Sequence, residues 1–130
     1  MGPPTIAQFT MLWAGEHPER LDRLVARLRS DAWAPAHPVP SMGRDSDAFD
    51  AERYWSGPTW VNTNWLSVEG LRHRGEHDLA EALRRDTVAL VSRHGFAEYF
   101  SPVSGAPLGA SAFSWSAALA IELATELRAT

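Results

Sequence analysis

The sequence predicts an all-α protein built from pairs of antiparallel helices, arranged as an α/α toroid or an α-solenoid. No stretch alternates apolar and polar residues with the period of two that a half-buried strand requires. Apolar helical segments alternate with amphipathic ones, as expected if every second helix is enclosed by its neighbours. Short connections alternate with long ones, which is typical of stacked helical hairpins. No self-similar repeat is present, so we favour the toroid.

Five helices are predicted, over residues 5–14, 18–29, 60–72, 76–93 and 114–127. The first is apolar and carries almost no charge. The second opens with Pro18, a residue favoured in the first turn, and places its apolar residues on a single stripe: Leu21, Leu24, Val25 and Leu28. Because its charged residues lie off that stripe, the second helix is expected to face water on one side.

The last three helices continue the same alternation. The third is apolar on most sides, and the fifth is rich in alanine and carries Trp115 and Ile121. The fourth is amphipathic, with a charged face that includes Glu81 and Arg84. We therefore expect the first, third and fifth helices to be enclosed and the other two to lie outside.

Both long connections, residues 30–59 and 94–112, lead from an outer helix into an inner one. In antiparallel hairpins this arrangement places both loops at the same end of the helices. Long loops on a helical scaffold are common positions for binding and catalysis. We therefore expect a functional site where these two loops meet.

The composition excludes several classes of partner. The 130 residues carry a net charge of −4 with a pI near 5.7, whereas a nucleic-acid-binding protein presents a basic face. No apolar run is long enough to cross a membrane, and no polybasic patch would attract one. The chain has no cysteine, so thiolate chemistry and disulfides are excluded. A cytoplasmic protein with no nucleic-acid or membrane partner is expected.

Glu98 is the first candidate for chemistry. It lies in GFAEYFSPVSG, between Phe96 and the pair Tyr99–Phe100, with no arginine or lysine closer than Arg93. A carboxylate among aromatic rings is costly to desolvate, an environment that general acids and bases use. The alternative is a surface acid beside buried rings, and spacing alone favours this alternative.

The stretch YWSGPTWVNTNW, residues 54–65, concentrates aromatic residues around a Gly57–Pro58 step. Tyr54, Trp55 and Trp60 could stack on sugar rings, fill a core corner or anchor an interface. Asn62 and Asn64 are two positions apart and point to different sides of a helix, so at most one reaches a shared site. We take Asn64 as that candidate.

Metal and cofactor sites are not predicted. His73 and His77 are four residues apart, but Gly75 lies between them where the third helix ends. Asp45, Asp47 and Asp50 lack the glycine and the terminal Glu of a calcium loop and suit turns and caps better. No phosphate-binding loop or serine-nucleophile motif is present.

Three motifs resemble bacterial glycoside hydrolase family 63, in the branch of the mannosylglycerate and glucosylglycerate hydrolases. The family patterns are Y-W-R-G-P-x-W-x-N-x-N-W-L, G-F-x-E-Y-F-D-P-x-T-G and F-S-W-T-A-A-L. This chain has YWSGPTWVNTNWL, GFAEYFSPVSG and FSWSAAL in the same order. The resemblance identifies residues 1–130 as a C-terminal segment of an (α/α)₆ barrel, of which about five of twelve helices are present.

The resemblance implies an inverting glycosidase, which needs a general acid and a general base. The Glu of the second motif corresponds to Glu98 and is implied to be the base. Tyr54, Trp55 and Trp60 are implied to form the sugar and aglycone pocket. Two residues depart from the family pattern: Ser56 replaces Arg and Ser101 replaces Asp. The family's acid, an Asp, lies upstream of the matched stretch, and neither Asp31 nor the three Asp residues at 45–50 match it.

Three functions are therefore open. The chain contributes the base and part of the pocket to a hydrolase of a small glucoside or mannoside, with no cofactor. Alternatively, it is a non-catalytic carbohydrate-binding remnant, or a helical interaction module whose aromatic residues anchor an interface. Because part of a barrel leaves the apolar sides of inner helices bare, we expect self-association or a partner chain.

Overall fold

The structure, a computed structural model, describes residues 4–15, 17–34 and 38–125. A 3₁₀ helix, Ile6–Thr10, runs into α1, Met11–Ala14, and is followed by α2, Pro18–Leu28, and α3, Val61–His73. Next come α4, His77–His94, a hairpin of β1, Tyr99–Phe100, and β2, Pro107–Leu108, and finally α5, Ser114–Thr125. The two strands pair antiparallel. The prediction of helices with little sheet is confirmed, and the predicted end of the fifth helix lies outside the described residues.

The first predicted helix is divided into a 3₁₀ turn and a short α-helix. The Thr10 hydroxyl donates to the Ala7 carbonyl at 2.7 Å, which is the acceptor that the Met11 N–H would use in an α-helix. The Met11 N–H bonds instead to the carbonyls of Gln8 and Phe9. The threonine hydroxyl thus lies where the 3₁₀ turn passes into α1 and shares the acceptor that α-helical winding would use there.

Helix α3 is the central element, and every residue from 61 to 72 is at least partly buried. It packs against α1, α4 and α5. A Cβ atom at Gly70 would lie 2.8 Å from Leu12 Cβ, so glycine allows α1 and α3 to approach closely. The Trp13 indole N–H also donates to the Leu66 carbonyl at 3.0 Å. The enclosure predicted for the third helix is thus confirmed.

Two hydrophobic clusters form the core. The larger joins the N-terminal helices to α3 and α4 and includes Phe9 and Trp33, whose rings meet edge to face at 4.9 Å. The smaller lies beneath the hairpin and comprises Val61, Leu90, Val91, Ala97, Phe100 and Ala120. This second cluster anchors the C-terminal loop to the start of α3.

Helix α5 is not enclosed in this chain, which differs from the sequence-based expectation. Ser116, Ala120 and Leu123 are buried against α3 and α4, whereas Trp115 and Ile121 are 55% and 57% exposed. The reason is that no described element packs on the far side of α5. None of the helices in the described ranges combines the length and apolarity needed to cross a bilayer.

Arg84 lies inside the protein, whereas the sequence placed it on the polar face of α4. Its guanidinium is 2% exposed and donates to the Leu123 carbonyl at 2.8 Å and to the Glu81 carboxylate at 2.6 Å and 2.7 Å. These charge-assisted bonds hold α4 against α5 and compensate the burial of the cation. The hydrogen bond from Arg84 lowers the pKa of Glu81 below its ordinary value of 4.5.

Candidate active site

The two long loops meet at one end of the helices, as predicted. Thr59 and Phe100 exchange backbone hydrogen bonds of 2.8 Å and 2.9 Å, which form a bridge between the loops. The Thr59 hydroxyl also donates to the Pro38 carbonyl at 2.7 Å. The bridge places the residue after Thr59 beside the residues that precede Phe100. Trp60 and Glu98 thereby come into the same region of the molecule.

The Gly57–Pro58 step turns the first loop into α3. The Gly57 N–H donates to Ser41 Oγ at 3.0 Å, and the Ser41 N–H donates to the Pro58 carbonyl at 2.9 Å. A Cβ atom at position 57 would overlap the Asp50 carbonyl. Only glycine allows these two backbone segments of the first loop to cross so closely. The step therefore fixes the position of the aromatic residues on both sides of it.

Four aromatic rings form one cluster, which we call the aromatic cluster: Tyr54, Trp55, Trp60 and Tyr99. Trp60 stacks on Trp55 with ring centroids 4.1 Å apart and on Tyr99 at 4.8 Å. Tyr54 meets the other three rings edge to face at 5.0–5.9 Å. The cluster joins residues from both loops, on the same side of the bridge between Thr59 and Phe100.

The members of the aromatic cluster differ in accessibility. Tyr54 and Trp55 are 49% and 42% exposed, whereas Trp60 is 2% exposed. The Trp60 indole N–H donates to the Tyr54 carbonyl at 3.1 Å. Tyr54 has a φ of +38°, a conformation that non-glycine residues rarely adopt. Trp60 therefore supports the exposed rings from behind, and Tyr54 and Trp55 offer the surface that a ligand could reach.

Glu98 is half-buried at the start of the hairpin. Its N–H donates to the Ala110 carbonyl at 2.8 Å, and the Ala110 N–H donates back to Glu98 Oε2 at 3.0 Å. No hydrogen bond to Oε1 and no ion pair to Glu98 is formed within the described ranges. One carboxylate oxygen is thus held by the backbone and the other is free to accept a proton from a bound water.

Tyr99 links Glu98 to the aromatic cluster. Its ring edge and Glu98 Oε2 both lie within 2.7 Å of the position that a Cβ atom at Gly109 would occupy, so the two groups are neighbours. The candidate residues did not include Tyr99, although it follows Glu98 directly in the second motif. Because successive side chains of a strand point to opposite faces, Tyr99 lies opposite the buried Phe100, and this alternation is the signal that could have identified it.

Asn64 lies beneath the aromatic cluster and is fully buried. Its amide nitrogen donates to the carbonyls of Val39 and Trp60 at 3.0 Å and 2.9 Å. Its Oδ1 atom is buried and has no hydrogen-bond partner within the described residues. Asn64 therefore connects the first loop to the start of α3, and direct contact of this residue with a sugar stays a prediction.

The two departures from the family pattern occupy backbone turns. Ser101 is buried, and its hydroxyl accepts long hydrogen bonds from the N–H groups of Val103 and Ser104 at 3.4 Å and 3.3 Å. A hydroxyl thus serves as the turn acceptor where the family pattern has a carboxylate. The Ser56 N–H donates to the Arg53 carbonyl at 2.7 Å, so this residue closes a turn beside Trp55.

The residues considered for metal binding are not assembled into one site. His73 ends α3 and His77 begins α4, so the two imidazoles belong to different helices. Asp45 and Asp47 are exposed, and Asp50 Oδ1 accepts the Glu52 N–H at 3.0 Å in a turn. This last bond agrees with the alternative role of these acids in turn formation.

Comparisons with known proteins give consistent matches. A family model described as a mannosylglycerate hydrolase MGH1-like glycoside hydrolase domain matches residues 2–116. The mannosylglycerate hydrolase of Thermus thermophilus is 40% identical over 119 residues, 90% of this chain and 28% of that protein. The glucosylglycerate hydrolase of Mycolicibacterium hassiacum is 33% identical over 124 residues, 91% of this chain and 28% of that protein.

The structural comparison agrees with the sequence matches. The crystal structure of a GH63 mannosylglycerate hydrolase from Thermus thermophilus in complex with Tris and D-glycerate superposes with a TM-score of 0.85 at 39% identity. The match covers 95% of this chain and 30% of that one. The predicted all-α fold, corresponding to part of an (α/α)₆ toroid, is therefore confirmed. The chain spans less than a third of the length of these relatives.

Proposed function

The chain belongs to the mannosylglycerate hydrolase MGH1-like glycoside hydrolase family, and from this premise we propose that it supplies the base side of an inverting glycoside hydrolase site. The substrate is a small glucoside or mannoside, such as a glycosylglycerate. The relatives named above hydrolyse mannosylglycerate or glucosylglycerate. The single observation that supports the proposal most strongly is the Glu98 carboxylate, held through Oε2 beside a partly exposed aromatic cluster.

Glu98 acts as the general base. Its free oxygen, Oε1, takes a proton from water while the water oxygen forms a bond to the anomeric carbon. The bond from that carbon to the leaving oxygen breaks at the same time, and the leaving oxygen receives a proton from the general acid. Because water attacks from the face opposite the leaving group, the anomeric configuration is inverted.

The aromatic cluster forms one wall of the sugar pocket. Tyr54 and Trp55 present exposed ring surface, and the C–H faces of a pyranose pack well on such a plane. Trp60 and Tyr99 hold these rings in position through the stacking and edge contacts described above. We assign substrate contact to Tyr54 and Trp55, and support of the pocket to Trp60 and Asn64.

The general acid lies outside the matched segment. Asp45, Asp47 and Asp50 are exposed residues of the first loop, and Asp50 caps a turn. The remaining helices of the barrel would bring the acid to the opposite side of the sugar, and would also cover the exposed side of α5. A second chain or self-association is the other way to cover it. The cytoplasmic location stays a prediction from the sequence.

The main alternative is a carbohydrate-binding remnant that keeps the pocket wall without catalysis. The exposed rings of Tyr54 and Trp55 would serve this function equally well, because stacking on a sugar does not require Glu98. The same exposed rings would also serve an interaction module. Hydrolysis of a sugar substrate would distinguish the hydrolase from the two non-catalytic alternatives. Sugar binding without hydrolysis would distinguish the carbohydrate-binding remnant from the interaction module.

The test is Glu98→Gln, made in the native polypeptide that carries this sequence. The same substitution is also made in a chimaera, in which this chain replaces the aligned 119-residue segment of the Thermus thermophilus enzyme. We expect turnover of mannosylglycerate or glucosylglycerate to fall about 10²- to 10⁴-fold, with sugar binding largely kept. Glu52→Gln, which removes an exposed acid of the first loop, is the matched control and should leave turnover unchanged.

A glycosyl fluoride substrate distinguishes the base from the acid. Fluoride leaves with little protonation, so loss of a general acid has a small effect on this substrate, whereas loss of the base retains its full effect. Unchanged turnover in the Glu98→Gln chimaera would show that Glu98 is not the base. A chimaera that binds sugar without hydrolysis, while the parent enzyme hydrolyses it, would favour the binding remnant.

A further inference from the structure

Gly109, which lies just after β2, contacts the Glu98 carboxylate. Its φ is +71°, in the left-handed region that favours glycine. A Cβ atom here would lie 2.7 Å from Glu98 Oε2, 2.9 Å from Glu98 Cβ and 2.6 Å from Tyr99 Cε1. All three distances are shorter than van der Waals contact, so any other residue at this position would displace its neighbours.

The turn that contains Gly109 also donates the hydrogen bond to the carboxylate. Ala110 follows directly, and its N–H bonds to Glu98 Oε2 at 3.0 Å while its carbonyl accepts the Glu98 N–H at 2.8 Å. The absence of a side chain at position 109 is what lets this backbone segment lie against the carboxylate. Two consecutive residues thus determine where Oε2 is placed.

Of the three atoms that an added methyl group would meet, Oε2 is the one that can move. Tyr99 is held by its stacking on Trp60 at 4.8 Å, and Glu98 Cβ is fixed by the paired backbone of Glu98 and Ala110. The carboxylate is at the end of a flexible side chain. A methyl group at position 109 would therefore shift the carboxylate off the Ala110 N–H, and its overlaps with Tyr99 Cε1 and Glu98 Cβ would require a further small shift of the turn that carries Gly109.

We propose that Gly109 is a positioning residue, which together with the Ala110 N–H fixes Glu98 Oε2 so that Oε1 faces the attacking water. This inference rests on the proposed function, since it assigns Glu98 as the base. General-base catalysis depends strongly on geometry, and a displacement of about 1 Å lowers rates about 100-fold. Gly109 acts on catalysis through Glu98, although a Cβ atom at this position would also overlap Tyr99 Cε1 at 2.6 Å.

The first test is Gly109→Ala, compared with Gly75→Ala. Gly75 lies at the other end of α3 with a similar φ of +78°, and a Cβ atom there would contact nothing within 4 Å. Both variants place a side chain at a similar positive φ, and only Gly109→Ala displaces the carboxylate. We expect kcat to fall about tenfold or more in Gly109→Ala with KM nearly unchanged, and neither constant to change in Gly75→Ala. Equal kinetics in the two variants would overturn the proposal.

A double variant tests whether the effect passes through Glu98. In the Glu98→Gln background, Gly109→Ala should lower the remaining rate no further, because the base is already absent. A full additional loss would show a merely structural role and contradict the proposal. If Glu98→Gln itself keeps wild-type turnover, the proposed function fails. If Glu98→Gln is inactive and Gly109→Ala behaves like Gly75→Ala, only the positioning role fails.

Hydrogen exchange provides a test that does not require Gly109→Ala to fold. Ala110 is exposed, so protection of its amide depends on the bond to Glu98. We expect slow exchange of the Ala110 amide in the unmodified chain and fast exchange in Glu98→Ala. The Gly105 N–H, which bonds to the Ser101 carbonyl at 2.8 Å, is the control and should exchange equally in both. Identical Ala110 exchange in the two proteins would overturn the proposal.

Discussion

The strained backbone at Tyr54 leads to a prediction about the order of stability of two variants. Tyr54→Ala removes the ring and keeps a side chain at a φ of +38°. Tyr54→Gly removes the ring and the strain together. The ring makes three edge-to-face contacts, each contributing about 0.5–1.5 kcal/mol. Because the ring is half exposed, we expect Tyr54→Ala to lower the free energy of unfolding by about 2 kcal/mol.

Tyr54→Gly should lower the free energy of unfolding by less than Tyr54→Ala does. A left-handed conformation costs a non-glycine residue about 1–2 kcal/mol, and glycine escapes this cost. Glycine also loses about 0.5–1 kcal/mol more backbone entropy on folding. The net expectation is that Tyr54→Gly is more stable than Tyr54→Ala by about 0.5–1 kcal/mol. Urea unfolding followed by far-ultraviolet circular dichroism measures the free energy of unfolding of both variants.

Two controls separate ring contacts from strain. Tyr54→Phe keeps the ring, and the phenol makes no hydrogen bond within the described part of the chain, so its stability should match that of the unmodified protein. Ala112 has a φ of +54°, and Ala112→Gly should raise stability by about 0.5–1 kcal/mol. If Ala112→Gly is stabilising while Tyr54→Ala and Tyr54→Gly are equally stable, the strain assigned to Tyr54 is wrong.

Two further predictions concern the α4–α5 contact and the uncovered side of α5. The pKa of Glu81 is lowered by the bond from Arg84, so its contribution to stability is present above about pH 4.5 and is lost as the pH falls through the lowered value. Urea unfolding across that range should show a steeper loss in the unmodified protein than in Glu81→Gln, and parallel curves would contradict this. The proposed self-association, measured by light scattering, should weaken in Ile121→Lys, because Ile121 is 57% exposed on the apolar side of α5. Association unchanged by Ile121→Lys would place the contact elsewhere.

The sequence by itself predicted the helical segments, except for the 3₁₀ turn in the first, and the end of the molecule at which the two long loops meet. Local signals are sufficient for these features, since the sequence places Pro18 and Gly95 where α2 begins and α4 ends. The order of apolar and amphipathic segments, with the alternation of loop lengths, placed both long loops together. The bridge between Thr59 and Phe100 confirms that placement.

The tertiary structure alone decided where each candidate residue lies and which groups it contacts. Trp55 and Trp60 belong to one motif, yet one is exposed and the other is buried beneath it. The sequence pattern places Arg84 on the polar face of α4, and only the fold brings its guanidinium against the Leu123 carbonyl. Gly109 has no side chain that a sequence pattern could single out. It lies close to Glu98 because the hairpin turn folds the chain back on itself. Burial and contact depend on partners distant in sequence, which a pattern of neighbouring residues does not contain.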